Sequence, residues 1–300
     1  GAWRKKRQAE AERQVDPNAT QFVLPKLPAA PTIDGVMEDG EWDHAIGVTT
    51  GAGIRGAGLR LRPSAVFYIG WRPEAIYVAQ RLPLREGEKL KRRHREPKHD
   101  NVHPSETAWE FYIDRGTFGS HPSLCRWQFM GNAVGNRWDY ENQYQIGQKY
   151  YDWDAEWQYQ QRLTPDGEFW EVEVAIPRKS VYQAEPIADG QVCKIGFATD
   201  LHNPWTWSGF YGWKIPATFA DATPAIRLFH PERSLEVRGI GFDMAIDNTT
   251  ATPFRATVVA KVVAGSRGKA DETLAIKRWP IELAPGTSTR LEVSEPLGQK

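Results

Sequence analysis

The segment Asp200-Leu201-His202-Asn203-Pro204-Trp205-Thr206-Trp207-Ser208-Gly209-Phe210-Tyr211-Gly212-Trp213 gathers the residue types that recognise sugars. Indole faces are flat and weakly polar, so they suit the apolar C–H face of a pyranose, while Asn, Arg and Glu side chains offer directional hydrogen bonds to hydroxyls. Gly, Pro and Ser make the segment read as an irregular loop whose aromatics, including Trp205, Trp207 and Trp213, cannot all turn into one core. The competing reading is a plug, with the loop folded back over the end of a sandwich. Arg126 and Arg137 add guanidinium forks, which meet carboxylates and vicinal hydroxyls well. The run Lys89-Leu90-Lys91-Arg92-Arg93-His94-Arg95, with Lys98, His99 and His103 after it, reads either as a solvated loop or as a rim facing an acidic glycan such as a uronate or sulfated polymer.

These residues need a scaffold, and the alternation in the chain supplies one. From Trp170 to Ile176 apolar and charged residues alternate strictly before Pro177, the period of a strand with one face in a core and Glu171 and Glu173 in water. Short strands are expected at Ala75-Ile76-Tyr77-Val78-Ala79, Trp109-Glu110-Phe111-Tyr112-Ile113-Asp114, Arg126-Trp127-Gln128-Phe129 and Ile195-Gly196-Phe197-Ala198. They are punctuated by Gly, Pro, Asn and Asp and show almost no helical periodicity, so residues 22–232 read as an all-β antiparallel sandwich. Long loops are expected at 83–107, 132–156 and 200–222. Trp42, Trp109, Trp127 and Trp170 are assigned to the core. Residues 1–21 read as a charged linker or the tail of an upstream segment. Residues 233–300, with alternation over Phe242–Asn248, Arg255–Val263 and Thr289–Val293, read as a second, incomplete immunoglobulin-like sandwich.

The motifs Thr32-Ile33-Asp34-Gly35 with Glu41-Trp42, Ala75-Ile76-Tyr77-Val78-Ala79, Trp109-Glu110-Phe111-Tyr112-Ile113-Asp114 and Trp170-Glu171-Val172-Glu173-Val174-Ala175-Ile176-Pro177 resemble, in order and spacing, the family 9 carbohydrate-binding modules and their DOMON-like relatives, over residues 25–232. The resemblance implies a sugar site built from Asn203 and Trp205, from Glu110, and from Arg126 or Gln128. It departs where the family can supply a second Trp before the Glu110 strand, since this chain has His94, His99, His103 and Pro104 there. It also implies a structural calcium ion, for which Asp34, Glu38 and Asp39 are the oxygen donors on offer. DOMON-like relatives that bind haem point to Met130 and His121 as the alternative pair, although Met in a strand usually packs.

Composition narrows the rest. Lysines plus arginines equal aspartates plus glutamates at 38 each, so no global field favours nucleic acid. Thirteen Trp residues exceed the needs of one core. Cys125 and Cys193 lack any metal or redox spacing, and their pairing does not follow from the sequence. No HExxH-type spacing occurs. The acids Asp139, Glu141, Asp152, Asp154 and Glu156 offer a glycosidase pair only if something fixes their separation, so no catalytic residues are expected. No apolar run spans a bilayer. The chain opens on Gly1, and it is expected to be part of a larger exported multidomain protein located outside the cell, in the periplasm or at the cell surface. The leading expectation is a non-catalytic module that binds a polysaccharide or glycan, and the rival is a structural or adhesive module without sugar binding.

Overall fold

The computed structural model describes residues 22–49, 52–54, 65–92, 102, 106–115, 125–143, 147–201, 206–221, 224–229, 239–264 and 272–296. Eighteen strands occur among them. In chain order they are β1 (Phe22–Pro25), β2 (Ile46–Thr49), β3 (Ala52–Ile54), β4 (Val66–Arg72), β5 (Ala75–Pro83), β6 (Ala108–Asp114), β7 (Arg126–Asn132), β8 (Arg137–Gln143) and β9 (Gln148–Tyr150). There follow β10 (Gln158–Leu163), β11 (Phe169–Pro177), β12 (Val192–Leu201), β13 (Thr206–Ala220), β14 (Ala225–Phe229), β15 (Gly239–Asp247), β16 (Phe254–Ala264), β17 (Glu272–Leu283) and β18 (Ser288–Pro296). One turn of 3-10 helix, Arg178–Val181, follows β11. No helix of the described residues is long and apolar enough to cross a membrane.

The large sheet has the order β1-β13-β12-β6-β7-β8-β9, with β3 also on β13, and the second sheet has the order β10-β11-β5-β4-β2. Only β1 runs parallel to its neighbour in these two sheets. Alternate residues of each sheet meet in one core. Trp109, Phe111 and Ile113 of β6, Trp127 and Phe129 of β7, and Ile195 and Phe197 of β12 pack against Phe67, Ile69 and Trp71 of β4 and Trp170, Val172, Val174 and Ile176 of β11. Each such side chain stabilises the fold by about 1.5 to 3 kcal/mol. The all-β sandwich expected from the periodicity is present, and Trp42, Trp109, Trp127 and Trp170 are buried as assigned.

Three expectations need correction. Glu171 and Glu173 do not face water: they are 1 % and 0 % exposed. Residues 27–45 fold over the outer face of the five-stranded sheet as a third layer, in which Leu27, Met37, Trp42 and Ala45 pack on Ala75, Tyr77, Ala79 and Ala175. Glu173 then anchors that layer. One of its oxygens accepts the amides of Asp34 (3.2 Å) and Gly35 (2.9 Å), and the other accepts Trp42 Nε1 (2.9 Å). Gly35 is required there twice over, by its φ of 86° and because a Cβ would sit 3.1 Å from the Gln161 backbone nitrogen. Glu171 is clamped between Arg81 (2.6 Å) and Arg162 (2.8 Å).

The expected loop at 132–156 contains β8 and β9, and the expected loop at 200–222 is mostly the fifteen-residue strand β13. Gly209, Gly212 and Pro216 had suggested irregularity. β13 tolerates Pro216 because that residue pairs with Lys194 of β12 but lies between the stretches paired by β3 and β1, where a missing N–H need remove no ladder bond.

The remaining strands form two small sheets, β14-β15-β18 and β16-β17, around a core of Ile246, Ile281 and Leu283. β14 pairs with β15, so residues 225–229, read above as the end of the first unit, share a sheet with the C-terminal strands. Cys125 and Cys193 are both free thiols.

Candidate functional site

The large sheet has an inner face in the core and an outer face opposite it, and the register fixes which residues share the outer face. Ala198 of β12, Glu110 of β6, Met130 of β7 and Trp138 of β8 form one cross-strand row. Gly196, Tyr112, Gln128 and Tyr140 form the next, and Lys194, Asp114, Arg126, Asn142 and Lys149 the third. Three residues chosen from the sequence, Glu110, Arg126 and Gln128, are therefore gathered on one face by two neighbouring strands. Trp207 is a register partner of Asp200. Trp213 falls within residues 211–214, where the β12–β13 register jumps from Ile195↔Ile215 to Phe197↔Phe210. Asn203 and Trp205 lie outside the described residues. Asp34 and Asp39 are not part of this face: they lie in the layer that covers the other sheet, both exposed.

Glu110 lies at the centre of a buried polar network. Tyr112 donates its hydroxyl to Glu110 Oε2, and Gln128 Nε2 donates both to that oxygen (3.1 Å) and to the Tyr112 hydroxyl (3.0 Å). Burial pushes the Glu110 carboxyl well above its ordinary range, and the nearby Asp200 charge pushes it further. Arg126 is held in place rather than loose, since its Nε donates to Asp114 Oδ2 at 2.8 Å. A carboxyl whose pKa is higher folded than unfolded stabilises below the unfolded value and withdraws that support as pH rises. Glu173 behaves alike, with burial carrying it from 4.5 to about 7 against its N–H donors. Wild-type melting temperature should thus fall as pH rises from about 4.5 to about 7. Glu110→Gln, neutral throughout, should fall less than wild type on the alkaline side of the carboxylate range. Coincident pH profiles of wild type and variant in thermal melts would sink this.

An aromatic cluster within residues 132–156, expected above to be a loop, sits at the far end of the same face. The rings of Trp138 and Tyr140 are 5.0 Å apart, and Tyr151, just after β9, stacks on Trp138 at 6.1 Å and 22° and meets Tyr140 at 5.4 Å. The available signal was the alternation Trp138-Asp139-Tyr140-Glu141. It went unused because the polarity is inverted: the aromatics face out and the acids face in. Asp139 accepts Trp157 Nε1 at 2.6 Å and the Ala155 amide at 3.3 Å, and Glu141 accepts from Gln143 at 2.6 Å and faces the Cys125 thiol at 3.5 Å. Burial and Glu141 push that thiol up to about 12. Both acids are buried, Asp139 at 0% and Glu141 at 2% exposure.

The other candidates are placed as follows. Met130 is buried between Glu110 and Trp138 in the first row, while His121 lies outside the described residues. Among the described residues no three His, Cys, Asp or Glu groups gather to hold a metal ion, and Asp34 Oδ1 accepts the Val36 amide at 2.8 Å. Of the basic run, Lys89–Arg92 are described, and Lys91 is tied by its backbone to Thr107. A cavity of about 760 Å³ beside the edge strand β10 is lined by Arg137, Gln158, Gln160 and Gln161. Trp157 and Tyr159 also line it, although each is buried, and the Arg137 guanidinium lies over the Trp157 ring at 5.8 Å.

A solved structure shares the architecture over about two thirds of this chain. A candidate carbohydrate-binding protein from Bacteroides uniformis superposes with a TM-score of 0.51 at 13% identity, over 67% of this chain and 99% of that one. This chain has the same fold. A family 9 carbohydrate-binding module from Caldicellulosiruptor kristjanssonii in complex with cellotriose gives a TM-score of 0.44 at 13% identity, over 68% and 95%. A family 9 module of that organism in complex with glucose gives 0.41 at 12%, over 67% and 97%. No protein-family model matches the chain, and no curated protein matches it.

Proposed function

We propose that the outer face of the large sheet binds a glycan without chemically altering it. The observation that carries this reading is the convergence of Glu110, Gln128 and Arg126 with the Trp138, Tyr140 and Tyr151 rings on one face. Directional polar groups beside flat apolar ones are the recognition set a pyranose requires. Asn203, Trp205, Trp207 and Trp213, on and before β13, complete the proposed site, with the indoles stacking on the sugar. Arg126 and the basic residues from Lys89 onward extend it toward acidic glycans, which predicts weaker binding at higher salt. The module would serve inside a larger exported protein and deliver its other domains to the polymer. A structural calcium ion at Asp34 and Asp39 stays a proposal that would need backbone carbonyls for most of its oxygens, and a melting temperature indifferent to chelator removes it.

One observation favours the rival, a structural or adhesive module. Glu110, Gln128 and Tyr140 are nearly closed to solvent, and Glu110 and Gln128 already satisfy one another. The deciding experiment is a glycan array of the full chain beside a Trp205→Ala, Trp207→Ala double variant, with neutral and acidic polysaccharides. The glycan reading expects wild-type binding, weakened roughly 5- to 140-fold in the variant, because two aromatic contacts worth about 0.5 to 1.5 kcal/mol each are lost. A folded wild type that binds no glycan leaves the structural module.

A further inference from the structure

The polar centre of the proposed site is buried, so contact with a ligand must begin where the face opens. Among the described residues of the three rows, Glu110, Tyr112, Gln128, Met130 and Tyr140 are buried, whereas Arg126, Trp138 and Asn142 reach solvent and Lys149 is exposed. Tyr151 is 54% exposed. Along the Glu110 row the residue that opens to solvent is therefore Trp138 on β8, two strands from Glu110 and on the opposite side of it from β13, while in the third row Lys194 of β12 is exposed as well.

Resting on the glycan reading above, we infer that Trp138 and Tyr151 form a second sugar-stacking shelf, and that the ligand is an extended polysaccharide lying across the strands rather than a single terminal sugar. Three features support this. Adjacent strands are about 4.8 Å apart, so Trp138 stands about 10 Å from Glu110 along their shared row, further than one pyranose ring reaches. The ring planes of Tyr151 and Trp138 are nearly parallel, 22° apart with centroids 6.1 Å from each other, so their flat faces are turned in nearly the same direction. Exposing more than half of a Tyr ring beside a half-buried Trp forfeits apolar burial, a cost that a ligand would recover. Asn142 and Lys149, paired in the third row beyond Tyr140, supply polar contacts at the edge of the shelf. The shelf takes the role of the second Trp that the segment before β6 lacks.

Tyr151→Ala is the variant of choice because Tyr151 is exposed in a turn, and its folding is verified by an unchanged melting temperature; Trp138→Phe serves as a second variant that keeps a ring in the cluster. Affinity electrophoresis of the full chain runs through gels holding β-glucan, xylan, galactomannan, pectin or alginate, in parallel with titration by free glucose. The expected result is retardation of wild type by at least one polymer, reduced about tenfold by Tyr151→Ala, with much weaker binding of glucose. Retardation of wild type and Tyr151→Ala to the same extent overturns the shelf while leaving glycan binding intact. Glucose binding as strong as the polymer's overturns the extended ligand. Wild type retarded by no polymer and unmoved by glucose overturns both the shelf and the reading on which it rests.

Discussion

Glu173→Ala is expected to lower the unfolding free energy by about 4 kcal/mol, within the sum for three buried donors left without an acceptor. The substitution strands three buried donors at once, the Asp34 and Gly35 amides and Trp42 Nε1, each worth about 1 to 3 kcal/mol when left unpaired in the interior. It also opens a void beneath the layer formed by residues 27–45. Glu173→Gln keeps one acceptor oxygen but turns an amide NH2 against either the two backbone amides or the indole, so its loss should fall between wild type and Ala. Urea unfolding followed by tryptophan fluorescence measures both. A loss under about 1 kcal/mol for the Ala variant would mean that the layer is held by its apolar contacts alone.

Gly131→Ala should cost about 3 kcal/mol, at the upper end of overpacking effects. A Cβ there would lie 2.1 Å from Tyr159 Cε2 and 2.2 Å from its Cζ. The ring cannot swing away easily. It is buried against Trp109 and Trp157, and its hydroxyl donates to the Asn132 carbonyl at 2.8 Å. Gly286→Ala is the control: its φ of 69° makes a side chain strained, but nothing lies within 4 Å of the new carbon, so about 1 kcal/mol is expected. If the two variants melt alike, Tyr159 has room to move and the contact between the sheets is looser than drawn. Gly131 lies at the β7–β8 end, so its failure would also loosen the aromatic cluster that follows.

Individual strands show where sequence reasoning holds and where it stops. β6, β7, β11 and β12 were legible because their core residues repeat every second position, and β5 because Ala75 to Ala79 is a short unbroken apolar run. β8 was not, although its alternation is just as regular, because periodicity gives the two faces of a strand but not which of them is inward. In β11 the same limit had the opposite effect: Glu171 and Glu173 were read as solvent-facing, yet residues 27–45 close over them. β13 was lost to its glycines and proline, which signal irregularity locally but are accommodated once β12, β1 and β3 pair along it. The site divides in the same way. Glu110, Arg126 and Gln128 came from motif order, and the register brings them to one face. Trp138, Tyr140 and Tyr151 were passed over because their proximity depends on β8, β9 and the turn after them folding onto the same sheet.

By itself, the sequence determined the all-β class, the burial of Trp42, Trp109, Trp127 and Trp170, and the strands that carry the polar candidates. Each of these depends on side-chain type and spacing within a few residues. Only the tertiary structure decided that the opening motif and Glu173 are one hydrogen-bonded unit, that Asp139 and Glu141 face inward, and that three aromatic rings stand in the same sheet face as Glu110. Those outcomes depend on which segments cover which faces, and contacts between residues 18 to 139 apart leave no periodic trace in the chain.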